Sequence, residues 1–295
     1  MSSAPAAFGC VVLTQGGRPD VLRMALDSLL RQEGVDVDVV VVGNAWEPSG
    51  LPEGVRGVGL EVDRGIPAGR NAGVPHVRGE LLFFLDDDAE LAAPDTLARL
   101  ARLFAEQPDI GLVQLRVEPQ EGGVGPRDWV PRLRSSSRLK PGEVTLVWEG
   151  AVAMPRRVFD EVGGWPEIYR FIHEGVELAW RVMDRGYRVW YAADLVAKHP
   201  MPIAAPARHG YSRYYGARNR VWVARRHLPF PLAVMYVAGF AARTLPLLLR
   251  SPGDIRPALR GYVDGMRQPC GAHARRKLRL RTLLRMTRAG RPPIV

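Results

Sequence analysis

Cysteine is almost missing from these 295 residues, with only Cys10 and Cys270 present. Two thiols build neither a disulfide framework nor a thiolate metal centre, which agrees with a reducing compartment. Lysine is scarce as well, at 140, 198 and 277 alone, so arginine carries the positive charge. The N-terminus lacks a basic segment followed by a long apolar core, so no signal peptide is expected. The charge-free stretch at 228–242 is fifteen residues long and contains Pro229 and Pro231. That falls short of the roughly 20 apolar residues a spanning helix needs. No internal repeat is visible. Acidic residues also run out: none follows Asp264.

What is present is an ordinary apolar fraction of 46% and a charged fraction of 24%, enough for one large α/β domain and an appendage. The net charge of +10 is unevenly placed. Residues 1–203 carry 22 Lys and Arg against 29 Asp and Glu, a net −7, whereas residues 204–295 carry 19 against 2, a net +17. A basic surface of that kind attracts phosphate-rich partners, lipid headgroups or nucleic acid. An arginine-favouring genome explains Arg over Lys but not the loss of acids.

Apolar runs at 8–14, 37–42, 58–62, 81–85 and 110–116 read as strands. Helical patterns fall between them, with Leu22, Ala25, Leu26, Leu29 and Leu30 on one face of the first. Such alternation predicts a doubly wound, mostly parallel sheet flanked by helices. Residues 117–142, rich in Gly, Pro, Ser and Arg, read as a long surface segment. A strand region near 144–154, helices near 156–162 and 173–185 and a strand near 189–192 follow. The character changes near Ala204, which divides the chain into 1–203 (donor side 8–116, acceptor and base side 143–203) and a helical extension, 204–295.

The strand LLFFL ends abruptly in Asp86, Asp87 and Asp88. Ligands of open parallel sheets bind beyond the carboxyl ends of the strands. Three adjacent carboxylates there call for a hard divalent cation with diphosphate oxygens completing its shell. The alternative is a solvated acidic turn.

Six segments in order over residues 8–200 then resemble glycosyltransferase family 2, with its GT-A fold: VVLTQGGRPDVLRMALDSLLRQ, VVVVGNA, RGIPAGRNAG, FFLDDDAEL, VFDEVGGW and HEGVELAWRVMDRGYRVWYAADLVAKH. The resemblance implies an inverting transfer of a sugar from a nucleotide-sugar donor to a hydroxyl of a glycan or lipid-linked saccharide, dependent on Mn²⁺ or Mg²⁺. It implies that Thr14, Asn44, Gly65, Gly69, Arg70, Asn71, Asp86 and Asp87 lie on the donor. Asn44 stands where the family usually has Asp. Asp88, with Asp86, would hold the metal, and His199 would complete the site or serve structurally. Trp148, Glu149 and Trp165 fall where the family builds its acceptor wall, though a core role is open for each tryptophan.

Inversion by direct displacement needs one carboxylate to take the acceptor's proton. The family often shows two adjacent acids before a helix like ELAWR. Here the first is Glu174 and the second is replaced by Gly175, so Glu174 leads and Glu177, one turn on, follows.

In the last third, aromatics interleave with arginines at 211–227. Eight basic residues from Arg275 to Arg291 surround Leu280, Leu283 and Leu284. This reads as an in-plane apolar helix and a basic amphipathic tail docking on an anionic membrane, at the inner face of the cell membrane. A helical subdomain packed on the first domain is the alternative. Nucleic acid is not expected, because no nucleic-acid fold signature is present. Two rivals for function remain, a sugar nucleotidyltransferase and a non-catalytic nucleotide-sugar-binding protein.

Overall fold

The apolar runs at 8–14, 37–42, 81–85 and 110–116 form strands because they are largely buried on both faces, whereas the run read at 58–62 gives a half-exposed edge strand over 55–60. A computed structural model describes residues 5–131, 138–201, 206–271, 277–289 and 292–293 of the chain. Strands β1 (Ala6–Thr14), β2 (Val35–Asn44), β3 (Val55–Leu60) and β4 (Leu81–Asp86) lie parallel in the order β3-β2-β1-β4. Then come β5 (Glu90–Leu91), β6 (Ile110–Pro119), β7 (Gly142–Val144), β8 (Ala151–Pro155) and β9 (Arg188–His199). The order continues β4-β8-β6-β9-β5, with β7 on β9. Strand β8 is antiparallel to β4 and to β6, and β6 is parallel to β9, so β6 and β9 run in the direction of β1. The sheet is thus mostly parallel, as expected.

Among the described residues the helices are α1 (Pro19–Leu30), α2 (Ile66–Gly73), α3 (Thr96–Glu106), α4 (Arg156–Val162), α5 (Glu174–Arg185), α6 (Pro206–His227), α7 (Phe230–Arg250), α8 (Ile255–Arg267) and α9 (Leu280–Arg288). Alternate residues of each strand feed two cores. On one face Phe8, Cys10, Val12, Val39, Val41 and Phe83 meet Leu26 and Leu29 of α1 and Leu97 and Leu100 of α3. On the other, Val11, Val40, Val42, Leu82 and Phe84 meet Phe159 of α4 and Leu178 of α5. That second core also takes in Trp222 and Val223 of α6, Tyr236 of α7, and Leu283 and Met286 of α9.

Helices α6, α7 and α9 therefore share a core with the sheet. Half the apolar face of α9 is covered, while Leu280 and Leu284 stay exposed. It reaches acids of the first 203 residues: Arg285 Nε donates to Glu143 Oε1 at 2.6 Å, and Asp184 Oδ1 accepts from the Arg279 amide at 2.9 Å and from Thr282 Oγ1 at 2.7 Å. Of the tail arginines, Arg275, Arg276 and Arg291 lie outside the described residues, as does the boundary at 204. Among the described residues no helix is long and apolar enough to cross a membrane, and Pro246 lies inside α7.

Three expectations change. The strand region at 144–154 is two strands joined by a loop. That loop turns away because the Trp148 amide donates to the Gln114 side chain (2.7 Å) rather than to a ladder. The strand at 189–192 runs on to His199, through a register shift against β6. The surface segment 117–142 buries Trp129, whose carbonyl accepts from Gln114 Nε2 at 2.8 Å. Within it, residues 132–137 lie outside the description.

The joint between the halves is Glu177, fully buried on α5. Its carboxylate accepts from Tyr169 Oη (2.6 Å), from Arg226 Nε and Nη2 of α6 (2.8 and 2.9 Å) and from Arg181, and lies 3.0 Å from His227 Nε2. Burial alone would raise this carboxyl, but His227, Arg181 and Arg226 hold it well below the ordinary carboxylate range. A group whose folded value is depressed stabilises fully above its unfolded value, about 4.3, and loses that contribution as pH falls through the folded value. Glu177→Gln is expected to lower unfolding free energy at pH 7 by about 3–5 kcal/mol, the scale for breaking a buried pair. Denaturant melts of both proteins should converge as the pH is lowered below 4; an equal gap at pH 7 and pH 3 would refute this account.

Candidate active site

The carboxyl ends of β1, β2, β4, β6 and β9 share one edge of the sheet because those strands run the same way. Strand β8, being antiparallel, starts at that edge, where Ala151 pairs with Leu85. Residues far apart in sequence converge there: Thr14, Asn44, Asp86, the loop carrying Trp148 and Glu149, and His199.

Asp86 ends β4, and its amide donates to the Gly150 carbonyl at 2.9 Å. Arg70 of α2, buried, donates from Nη2 to Asp86 Oδ1 at 2.6 Å, and its guanidinium lies 4.8 Å from the Trp165 ring centre. Asp87 accepts from Thr14 Oγ1 at 2.6 Å, and Arg18 bridges Asp87 and Asp88 at 2.9 and 2.7 Å. His199 Nε2 lies 2.9 Å from Asp88 Oδ1. Burial, with Asp88 and Asp86 adding, lifts the Asp87 carboxyl above its ordinary value despite Thr14 and Arg18. Burial would lift Asp88 too, but His199 and Arg18 hold it below. Asp86, Asp88 and His199 each offer a ligand atom within 4.8 Å of the others. Two carboxylates and an imidazole suit a divalent ion, and Arg18 shows how strongly this cluster draws positive charge.

The donor-side glycines are dictated by space. Gly65 has φ +84, and a Cβ there would stand 2.7 Å from the Arg170 carbonyl, while a Cβ at Gly69 would run into Leu13. Asn44 is buried; its Nδ2 donates to Asp63 Oδ1 at 2.6 Å and its Oδ1 accepts from the Arg64 amide at 2.9 Å. It thus holds the turn into α2. Asp63 also accepts from Arg170 (2.5 Å) and from the Gly65 amide (2.8 Å). Sequence reasoning missed Asp63 and Arg170; the acid lies just before the Gly-rich turn, where an Asx-type bond to the backbone was the available signal.

Two residues do not face the cleft as expected. Asn71 donates to the Trp165 carbonyl and to Glu167, and accepts from the Trp165 amide, all at 2.9 Å, so its amide pins α2 to the loop after α4. Trp165 is 1% exposed and packs edge-on against Phe84 at 5.3 Å, so it is core rather than acceptor wall. Trp148 remains partly exposed, 5.2 Å from His199 and 5.7 Å from Trp129. Trp129 was missed because its surroundings read as loop.

Glu174 opens α5 but is 2% exposed, and its Oε2 has no partner. Glu149 reaches in from the loop before β8 and accepts from the Gly175 amide at 2.7 Å. Burial, with the neighbouring Glu149, pushes the Glu174 carboxyl up to about 8. Burial raises Glu149 as well, opposed by Arg70 and the Gly175 N–H, which favour its charged form. Glu177, bound in its buried ion cluster, is a brace between helices and not a base. The backbone leading into α5 is strained: Ile172 and His173 both have positive φ, +66 and +77. Asn219 of α6 holds them, donating to the Phe171 and Ile172 carbonyls at 2.7 Å each.

A family model described as glycosyl transferase family 2 matches residues 10–163. The chain is 30% identical over 202 residues to the O-antigen biosynthesis protein RfbC of Myxococcus xanthus, and 34% identical over 106 residues to the succinoglycan biosynthesis protein ExoO of Rhizobium meliloti (strain 1021). Those matches take in 58% and 34% of this chain but only 16% and 29% of the relatives. Among solved structures, GalNAc-T7 with UDP, GalNAc and Mn²⁺ superposes with a TM-score of 0.63 at 14% identity, over 90% of this chain and 57% of that one. Residues 1–349 of S. aureus TarS give 0.60 at 15%, over 88% and 81%. The mannosyltransferase PcManGT of Pyrobaculum calidifontis, with GDP-Man and Mn²⁺, gives 0.59 at 20%, over 90% and 88%. At these identities the likeness is one of fold.

A carboxyl raised in the fold destabilises progressively as pH climbs from its unfolded toward its folded value. Glu174→Gln should therefore gain stability relative to wild type between pH 5 and pH 8. Melting temperatures across that range test it, and a constant difference would remove the buried-acid account.

Proposed function

The chain belongs to glycosyl transferase family 2, and from that premise we propose that it moves a sugar from a nucleotide-sugar donor to a hydroxyl of a glycan or lipid-linked saccharide, with inversion. One observation carries this reading: Asp86, Asp88 and His199 gather at the edge of the sheet where the carboxyls of Glu149 and Glu174 also lie. The relatives' names, O-antigen and succinoglycan biosynthesis, support an acceptor in envelope or extracellular glycan assembly.

Mn²⁺ or Mg²⁺ held by Asp86, Asp88 and His199 would neutralise charge developing on the departing nucleoside diphosphate. This chain's own residues do the rest. Thr14 and Asn44 border the base and ribose, with Asn44 acting through the Asp63 turn. Arg70 offsets diphosphate charge while steering Asp86. Trp148 offers a face on which an acceptor sugar ring can stack. A carboxylate of the Glu149–Glu174 pair takes the acceptor's proton. That pair separates this reading from a binding protein that has lost its chemistry.

We also infer docking at an anionic membrane, on its inner face. Leu259, Val263 and Met266 stand exposed at helical spacing on α8, with Arg256, Arg260 and Arg267 exposed beside them. Phe230, Val234 and Met235 of α7 are exposed as well. Apolar side chains among arginines suit insertion between phosphate headgroups.

A panel of UDP-, GDP- and dTDP-sugars is expected to contain one that raises the melting temperature in Mn²⁺ and not in EDTA. Asp88→Asn should abolish that gain, and the stabilising donor should be hydrolysed to its nucleoside diphosphate. Release of pyrophosphate from a sugar phosphate and a nucleoside triphosphate would instead favour a nucleotidyltransferase; binding without turnover would favour a binding protein.

Vesicles of phosphatidylglycerol and phosphatidylcholine should co-sediment the protein at low salt, and Leu259→Glu with Met266→Glu should weaken this severalfold. Equal binding to pure phosphatidylcholine, or no binding at all, would end the membrane proposal.

A further inference from the structure

We propose that Glu149, not Glu174, is the catalytic base: it supplies from the loop before β8 the carboxylate that the sequence lacks at Gly175. The assignment rests on the glycosyltransferase reading above.

Gly175 is where a second acid was expected and is absent. The structure shows what fills the space. A Cβ at Gly175 would run into Oε1 of Glu149. The same oxygen accepts the Gly175 amide hydrogen bond at 2.7 Å. A side chain at 175 would require the Glu149 carboxylate to swing away, so glycine here lets Glu149 keep its bond to the Gly175 amide.

The loop that delivers Glu149 is fixed to the donor side. The next residue, Gly150, accepts from the Asp86 amide at 2.9 Å, and a Cβ there would approach Asp86 Oδ2 to 2.8 Å and overlap the Trp148 ring. Trp148 in turn donates its amide to Gln114 and packs on His199. Glu149 is thus held between the residues suited to the metal and the first turn of α5. Exposure then distinguishes the two acids. Glu174 is 2% exposed, whereas Glu149 is partly exposed. An acceptor hydroxyl must touch its base at hydrogen-bond distance, and of the two residues Glu149 keeps the greater contact with solvent.

In the step, the acceptor oxygen forms a bond to the anomeric carbon as the bond from that carbon to the diphosphate oxygen breaks. The acceptor's proton passes to Glu149, and the bonding pair leaves with the nucleoside diphosphate.

A rival role for Glu149 is to cap α5 and nothing more. Glu149→Gln separates the two, because its amide oxygen still accepts the Gly175 hydrogen bond but takes up no proton. The probe is hydrolysis, in Mn²⁺, of whichever sugar in the UDP, GDP and dTDP panel the wild type turns over. Glu149→Gln is expected to lose about 100-fold or more in kcat, with affinity for the matching nucleoside diphosphate in Mn²⁺ unchanged. Glu149→Ala should be equally poor, and the double variant Glu149→Ala, Gly175→Asp should recover a measurable part, since the vacated space now admits the relocated acid. Turnover by Glu149→Gln within a few-fold of wild type overturns the assignment, as does a double variant no better than Glu149→Ala. A wild type that turns over no donor would sink the glycosyltransferase reading itself, and this assignment with it.

Discussion

Five carboxyls crowd one edge of the sheet, those of Asp86, Asp87, Asp88, Glu149 and Glu174, and like charges at that density repel unless cations or protons lie among them. Much of the local architecture answers this repulsion. Arg70 is buried beneath Asp86, Arg18 spans Asp87 and Asp88, and His199 approaches Asp88 from the end of β9. Glu174 is relieved differently, by a carboxyl pushed up to about 8. An edge so rich in negative charge suits a ligand that arrives with a divalent ion, and opposes a bare nucleoside diphosphate.

The second organising element is remote from that edge. The Glu177 cluster ties α5 to α6 through Arg226 and His227, and Asn219 two turns earlier on α6 grips the strained turn before Glu174. Neither bond reaches the cleft. Together they set where α5 begins, and with it the amide of Gly175 that orients Glu149. Rigidity at the site is thus imported from helices late in the chain.

Much of this was legible in the sequence because it rests on short-range pattern. Unbroken valines betray a strand covered on both faces, and Asp86 to Asp88 directly after LLFFL put acids at a strand's tip. What escaped rests on contacts between distant segments. Asn71 and Trp165 sit in family-like motifs, yet 94 residues apart they bond to one another, and no local pattern shows that. Gly175 read as a lost acid because sequence cannot display a carboxylate arriving from Glu149. Glu177 read as a spare base because its partners, Arg226 and His227, come from the segment taken for a membrane tail. That segment's excess of arginine is partly internal: Arg226 and Arg285 are committed to Glu177 and Glu143, and Arg260 lies 3.7 Å from Asp264, while Arg256 and Arg267 of α8 stand exposed.

The grip of Asn219 on the carbonyls of Phe171 and Ile172 has a bearing on how such chains are cut and joined. An excised piece ending near residue 203 would keep every motif by which the family is known, and would still lose the hand that holds its turn in an unfavourable backbone shape. Fusion to other modules, or dissection in the laboratory, therefore has to carry α6 along with the sheet.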